Sequence, residues 1–246
     1  MEIVPDDELR ARLAEAADNA PSPEIAHQAL GLLRPSIALA PAADGQGCGT
    51  TRLGGLPPLL PEAEWPATGG RPRTLVARLD CAALHPLLGD EWPLPRDGLL
   101  LFFYDDTFGA VSADDVCLLH VPGDAPERPA PPDTPVIPPL PLVAARTPSL
   151  PVSFSRAIDA LPGEHDLIDA MDAVEALAGV LPEVDYRLLG WHDGGGDGPD
   201  GQRPLLQLEG VDGIDWGEVV NITFWIGDAD LSAGRLEGAY SGLEVA

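Results

Sequence analysis

The residues of this chain best placed to do chemistry are clustered carboxylates and glycines with a few aromatics beside them. From 192 to 201 the chain reads His-Asp-Gly-Gly-Gly-Asp-Gly-Pro-Asp-Gly. Within it Gly195-Gly196-Asp197-Gly198-Pro199-Asp200 fits the Gly-Gly-x-Gly-x-Asp of calcium-binding β-helix repeats, and Asp193, Asp197 and Asp200 offer the oxygen ligands a hard cation takes. Such sites need tandem copies stacked on one another. Here there is one copy, with Gln202 where an aliphatic residue belongs, so an acidic turn between strands is expected and no metal. Gly45-Gln46-Gly47-Cys48-Gly49-Thr50 has the glycines of a phosphate loop but no following Lys and no helix opening behind it.

The five histidines never pair at i, i+2 or i, i+4, so no local metal site is visible. A nucleophile and base could be assembled from Cys48 with His192 and Asp193, or from Cys117 with His120, only by the tertiary fold. No catalytic residue and no cofactor are therefore expected. Trp191 and Trp216 flank the acidic loop and could line an interaction face, because aromatic anchors dominate binding hot spots. The candidate binding residues are Trp191, His192, Asp193 and Trp216, with the strand residues Arg78 and Gln207.

The whole-chain balance narrows the partners. Forty acids against fourteen arginines, with no Lys, give a formal net charge of −26 over 246 residues. That charge repels a phosphate backbone, so no nucleic acid is expected, and it favours a basic protein partner or simply solubility. Apolar stretches are too short to span a bilayer, so no membrane partner is expected either. The N-terminus is acidic where a signal peptide is basic, and Cys48, Cys81 and Cys117 are few and widely spaced. A reduced, cytoplasmic protein is the expectation.

The elements that must position these residues follow from periodicity. Residues 6–18 put acids in the first turn and Leu9, Leu13 and Ala16 on one face, which predicts a helix. Ser22-Pro23-Glu24 starts a second, carrying Ile25, Ala29, Leu32 and Leu33 and stopped by Pro35. Residues 164–181 predict a third, with Leu167, Ile168, Met171, Val174, Leu177, Ala178 and Leu181 in helical rhythm. Strands are expected at 75–79, 98–104, 116–121, 186–190, 205–208 and 219–226. Residues 122–151 hold eleven prolines, which argues for extended chain lying on the body and against a central strand.

Two stretches share an order of signals. Leu53-Gly54 precedes Leu75–Asp80 and Gly98–Asp105; Leu189-Gly190 precedes Leu205–Glu209 and Val220–Asp228. Arg78 lies 24 positions after Gly54 and Gln207 lies 17 after Gly190, and the next element follows at the same intervals, so Arg78 and Gln207 hold equivalent places. Gly54-Gly55-Leu56-Pro57, Glu64-Trp65-Pro66, Leu79-Asp80 and Gly98–Phe103, then Leu188–Gly190, Leu205–Leu208, Asp215-Trp216-Gly217 and Phe224-Trp225-Ile226 with Asp230-Leu231 and Arg235, resemble the YwqG-like proteins of bacteria, a family of unknown function. The resemblance spans roughly 50–240. It departs at Arg78, where Gln is common, at Leu236, where an aromatic is usual, and in the loop 193–201.

The resemblance implies an α+β fold, antiparallel and β-rich, with an internal two-fold repeat and helices at the N-terminus and between the halves. Residues 1–40 are expected as a helical segment packed on the body. Residues 41–246 are expected as one domain with repeat halves near 50–121 and 186–240. The functional expectation is a non-catalytic interaction module, immunity-like or regulatory, that binds a basic protein; the alternative is a small-ligand binder or enzyme with a cleft between the halves.

Overall fold

In the computed structural model the described residues are 6–43, 46–104, 116–163, 166–194, 198–210 and 219–245. Acidic first-turn residues and an apolar stripe make α1 (Asp6–Asn19), and Pro at the first turn opens α2 (Pro23–Leu30). The chain then extends into β1 (Arg34–Pro41), β2 (Arg52–Leu53), the small ribbon β3 (Ala67–Thr68) and β4 (Arg71–Pro72), and β5 (Thr74–Asp80). α3 (Cys81–Leu88) follows, its first turn capped by Asp80, whose carboxylate accepts from the Ala83 N–H. Next come β6 (Leu99–Tyr104), β7 (Val116–Val121), β8 (Leu140–Ser149), the single turn α4 (Arg156–Asp159) and α5 (Leu167–Ala178). β9 (Tyr186–Leu188), β10 (Gln202–Glu209), β11 (Val219–Gly227), α6 (Asp228–Ser232) and β12 (Tyr240–Val245) complete the order.

Ten strands form one sheet in the order β12-β11-β10-β9-β1-β8-β2-β5-β6-β7, antiparallel at every pairing. The outer strands β7 and β12 approach each other, so the sheet curls until it is nearly closed. Its inner face holds the main core, including Ile37, Leu53, Leu79, Phe102, Leu188, Leu206 and Phe224, with Phe102 and Phe224 meeting edge to face at 5.0 Å. β6 is buried on both faces, because Leu99, Leu101 and Phe103 point outward under Leu59 and Trp65. A separate helical core joins α1, α2 and α5 through Leu13, Ala17, Ala29, Ala173, Val174 and Leu177.

Two expectations fail for one reason. The helical segment assigned to residues 1–40 ends at Leu30, and Arg34–Pro41 is a strand; the proline-rich stretch, expected to lie outside the sheet, supplies β8. These two strands are its centre. The register sets Pro35 opposite Pro148, and since the Ala42 N–H donates to the Pro141 carbonyl, alternation makes 35 and 148 a non-hydrogen-bonded pair, where two missing N–H groups cost no bond between these strands. β9 pairs only with 37–39 of β1, and β2 only with 140–141 of β8, so neither proline faces a strand on its other side.

Differences also appear at helix ends. α5 is shorter than 164–181, starting where Asp166 caps the Asp169 N–H, and Leu167 and Ile168 are exposed rather than on the packed face. α3, α6 and β12 carry no clear periodicity and were not expected. Among the described residues no helix is long and apolar enough to cross a membrane.

Candidate functional site

The 191–193 turn is placed by a sharp reversal after β9. Leu189 and Gly190 both take left-handed backbone, φ 63° and 85°. At Gly190 only a glycine fits, because a Cβ would come within 2.4 Å of the Ser149 Oγ and 2.7 Å of the Ser36 Cβ. Ser149 Oγ accepts from the Trp191 backbone N–H at 2.9 Å, and the indole N–H donates to the Leu32 carbonyl at 2.7 Å. The turn is thus pinned to β8 and to the end of α2.

Its three side chains diverge. The Trp191 ring carries the Arg34 guanidinium on its face, 3.4 Å from the centroid. His192 lies against Trp225 with ring centroids 4.9 Å apart. Asp193 turns back to the sheet, where one oxygen accepts from both the Nε and Nη2 of Arg187 at 2.9 Å and its backbone N–H donates to Gln207 Oε1 at 3.1 Å. Arg187 also donates to Ser36 Oγ at 3.0 Å, and Ser36 donates to the Thr147 carbonyl. Ser36, Arg187, Gln207 and Thr223 are all buried, a polar row across the outer face of β1, β9, β10 and β11.

Of the sequence candidates, the structure therefore sets Trp191 and His192 beside Arg34 and Trp225, and Asp193 beside Gln207. Arg78 is elsewhere, four strands away in the sheet. It donates from Nε to the Thr50 carbonyl and pairs with Glu127 at 3.1 Å, while its cross-strand neighbour Arg52 pairs with the same oxygen at 2.7 Å. Hydrogen bonding from Arg52 outweighs partial burial and, with the charge of Arg78, holds the Glu127 carboxyl below the usual range; burial and the charge of Arg52 lower the Arg78 pKa. This is an ion triad anchored on the buried Arg78, with Glu127 at the surface, and it is a structural part. Trp216 and Asp197 lie outside the described residues.

Two concavities open on either side of the turn. The first, about 560 Å³, lies against β9 and β10 beneath α5, with Val152, Phe154, Val174 and Leu181 as apolar floor. Its rim carries Glu175, Glu183, Asp185, Asp193 and Glu209, and among the described residues Arg187 is its one cation. The second, about 240 Å³, is lined by Arg34, Arg156, Arg203 and His192, with Asp200 and Asp228. No sequence signal marked it: Arg34 reads as a helix end, and Arg156 and Arg203 lie far apart in the chain.

The remaining chemistry candidates separate. Cys117 and His120 are three apart on β7, so they face opposite sides of the strand. Burial raises the thiols of Cys48 and Cys117, and it pushes Cys81, with help from Asp80 and Asp97, up to about 12. Asp193 and Asp200 are each paired with an arginine, and among the described residues no three His, Cys, Asp or Glu side chains are grouped to hold a metal.

Comparison with known families gives one match, a domain of unknown function (DUF1963), over residues 51–244. The chain belongs to that family. No curated protein matches it.

Proposed function

We propose that this DUF1963 protein is a non-catalytic interaction module whose acid-rimmed groove takes a basic, amphipathic segment of a partner protein. The groove carries the reading. An apolar floor with Phe154 49% exposed sits inside a rim of five carboxylates, and the one cation among its described residues, Arg187, is already engaged by Asp193 and Ser36. Such a surface matches apolar side chains flanked by Arg or Lys and repels an acidic segment. The surrounding charge of −26 adds long-range attraction for the same partner.

The finer likeness to the bacterial YwqG-like proteins and a two-fold repeat belong to this reading. Outward from the centre the strands run β8, β2, β5, β6, β7 on one side and β1, β9, β10, β11, β12 on the other. Arg52 faces Arg78 as Arg187 faces Gln207. Bulges fall at Val76 and Leu205, each followed by a second inward residue, and the Gly54 and Leu189 N–H groups donate to the carbonyls of those two residues, both at 2.9 Å. On this alignment Gly55, not Gly54, is the partner of Gly190. Glu127 and Asp193 become matching carboxylates, one shared by two arginines and one at a groove.

A fluorescently labelled Leu/Arg amphipathic peptide tests the reading by anisotropy. Binding is expected to weaken several-fold as salt rises from about 50 to 300 mM. Glu175→Lys with Asp185→Lys is expected to abolish it, both positions being exposed on the rim. Equal binding of a Leu/Glu peptide, or no response to the charge reversal, would sink the reading.

A further inference from the structure

We infer that the second concavity is a binding site for a small oxyanion, the phosphate or carboxylate group of a compact metabolite, with Arg34 as its principal donor. The inference stands apart from the peptide groove. It begins with a charge anomaly. A chain with forty acids and fourteen arginines places three of those arginines and a histidine around one cleft of about 240 Å³. Three guanidinium groups against two aspartates leave that cleft net positive on a molecule that is elsewhere strongly negative.

The aspartates are already used. Asp228 accepts from Arg203 Nε at 2.5 Å, and Asp200 pairs with Arg156, which also donates to the Gly198 carbonyl at 2.9 Å. Arg34 is left over. Among the described residues its guanidinium has no ion pair and no hydrogen bond, only the Trp191 ring beneath it. Stacking on an indole fixes the plane of a guanidinium and leaves its in-plane N–H donors free to form the two-pronged contact that carboxylate and phosphate oxygens accept. Burial and the charge of Arg203 lower the Arg34 pKa, partly offset by Asp228, so an incoming anion relieves a real repulsion.

One further feature suits a ligand. Gly198 lies so close to Trp225 that any Cβ would fall within 2.1 Å of the ring, so the cleft's floor is a backbone packed flat on indole. That floor holds the carbonyl engaged by Arg156, and with it the position of the second arginine. The space of about 240 Å³ accommodates a group the size of a phosphate or a dicarboxylate.

Trp191 and Trp225 line the cleft, so tryptophan fluorescence reads occupancy without a label. Inorganic phosphate and malonate are titrated separately at about 50 mM salt, low enough that screening does not mask a weak site. Saturation by one of them with Kd below about 5 mM is expected, and which one saturates identifies the oxyanion. Arg34→Gln is expected to weaken it about tenfold or more, and Arg34→Lys less, since a point charge replaces a fork. Arg156→Gln changes an exposed side chain and leaves the fold intact; a three- to tenfold loss, to order of magnitude, is expected there too. Arg96→Gln, on an exposed arginine outside the cleft, is expected to leave the titration unchanged. Glu175→Lys, which tests the groove, is expected to leave it unchanged as well. Two results overturn the proposal: no saturation by either anion up to about 50 mM, or wild-type affinity in both the Arg34→Gln and Arg156→Gln variants.

Discussion

Arg187 and Asp193 show how one residue pair ties site to fold. The arginine is 8% exposed and the aspartate 30%, so removing the carboxylate strands a buried cation whose other named partner is a serine hydroxyl. Asp193→Ala is expected to cost about 2 kcal/mol, below the full cost of breaking a buried pair because water reaches one side; urea denaturation measures it. Glu127 gives a pH-dependent counterpart. Its pKa is lowered in the folded state, so its stabilisation is present above the ordinary carboxylate pKa and is lost as pH falls through the depressed one. The melting-temperature gap between wild type and Glu127→Gln is expected to be full at neutral pH and to close below about pH 4. Cys81, fully buried with its thiol pushed up to about 12, is expected to resist thiol reagents at about pH 8 until denaturant is added; rapid native labelling of all three cysteines would contradict this.

At the scale of elements, the hairpin-like reversals after β2 and β9 decide where the polar side chains end up. Gly55 and Gly190 both have positive φ, 78° and 85°, and both are crowded, Gly55 by the Arg52 guanidinium at 2.7 Å and Gly190 by Ser149 and Ser36. If the two sides of the sheet derive from one unit, Gly55→Ala and Gly190→Ala act alike in kind. Each is expected to lose about 1–3 kcal/mol, from backbone strain and displaced neighbours. Gly190→Ala is the more damaging, because its neighbours are a β8 side chain and a β1 side chain rather than the end of a long arginine. Thermal melts of both variants check the order. An effect at Gly190 alone would argue against equivalence.

The whole molecule carries a charge that its fold does not neutralise. Forty acids cannot all find partners among fourteen arginines, and several visible pairs, such as Arg96 with Asp90, are exposed and contribute little. Self-repulsion therefore opposes the compact state. Raising NaCl from about 20 to 500 mM is expected to raise the melting temperature, because screening weakens repulsion between exposed carboxylates more than it weakens the partly buried Arg187–Asp193 contact. A fall with salt would mean that attractive surface pairs outweigh the surplus.

The amino-acid sequence by itself determined what is local. Apolar rhythm specifies α1 and most of α5, the run Leu99–Tyr104 specifies a strand buried on both faces, and the acid excess sets the surface charge. It also marked the Trp191–Asp193 turn, because aromatics beside a Gly/Asp loop are a local signal. Tertiary structure decided the rest. β1 and β8 are tolerated at the centre of the sheet in part because Pro35 and Pro148 meet where neither needs an N–H, a fact about two residues 113 positions apart. Arg34 reaches Trp191, Glu127 reaches Arg52 and Arg78, and the three arginines of the cleft converge through the same long-range pairing. Propensity and periodicity act over a few residues, whereas a charge finds its partner wherever the packed sheet places it.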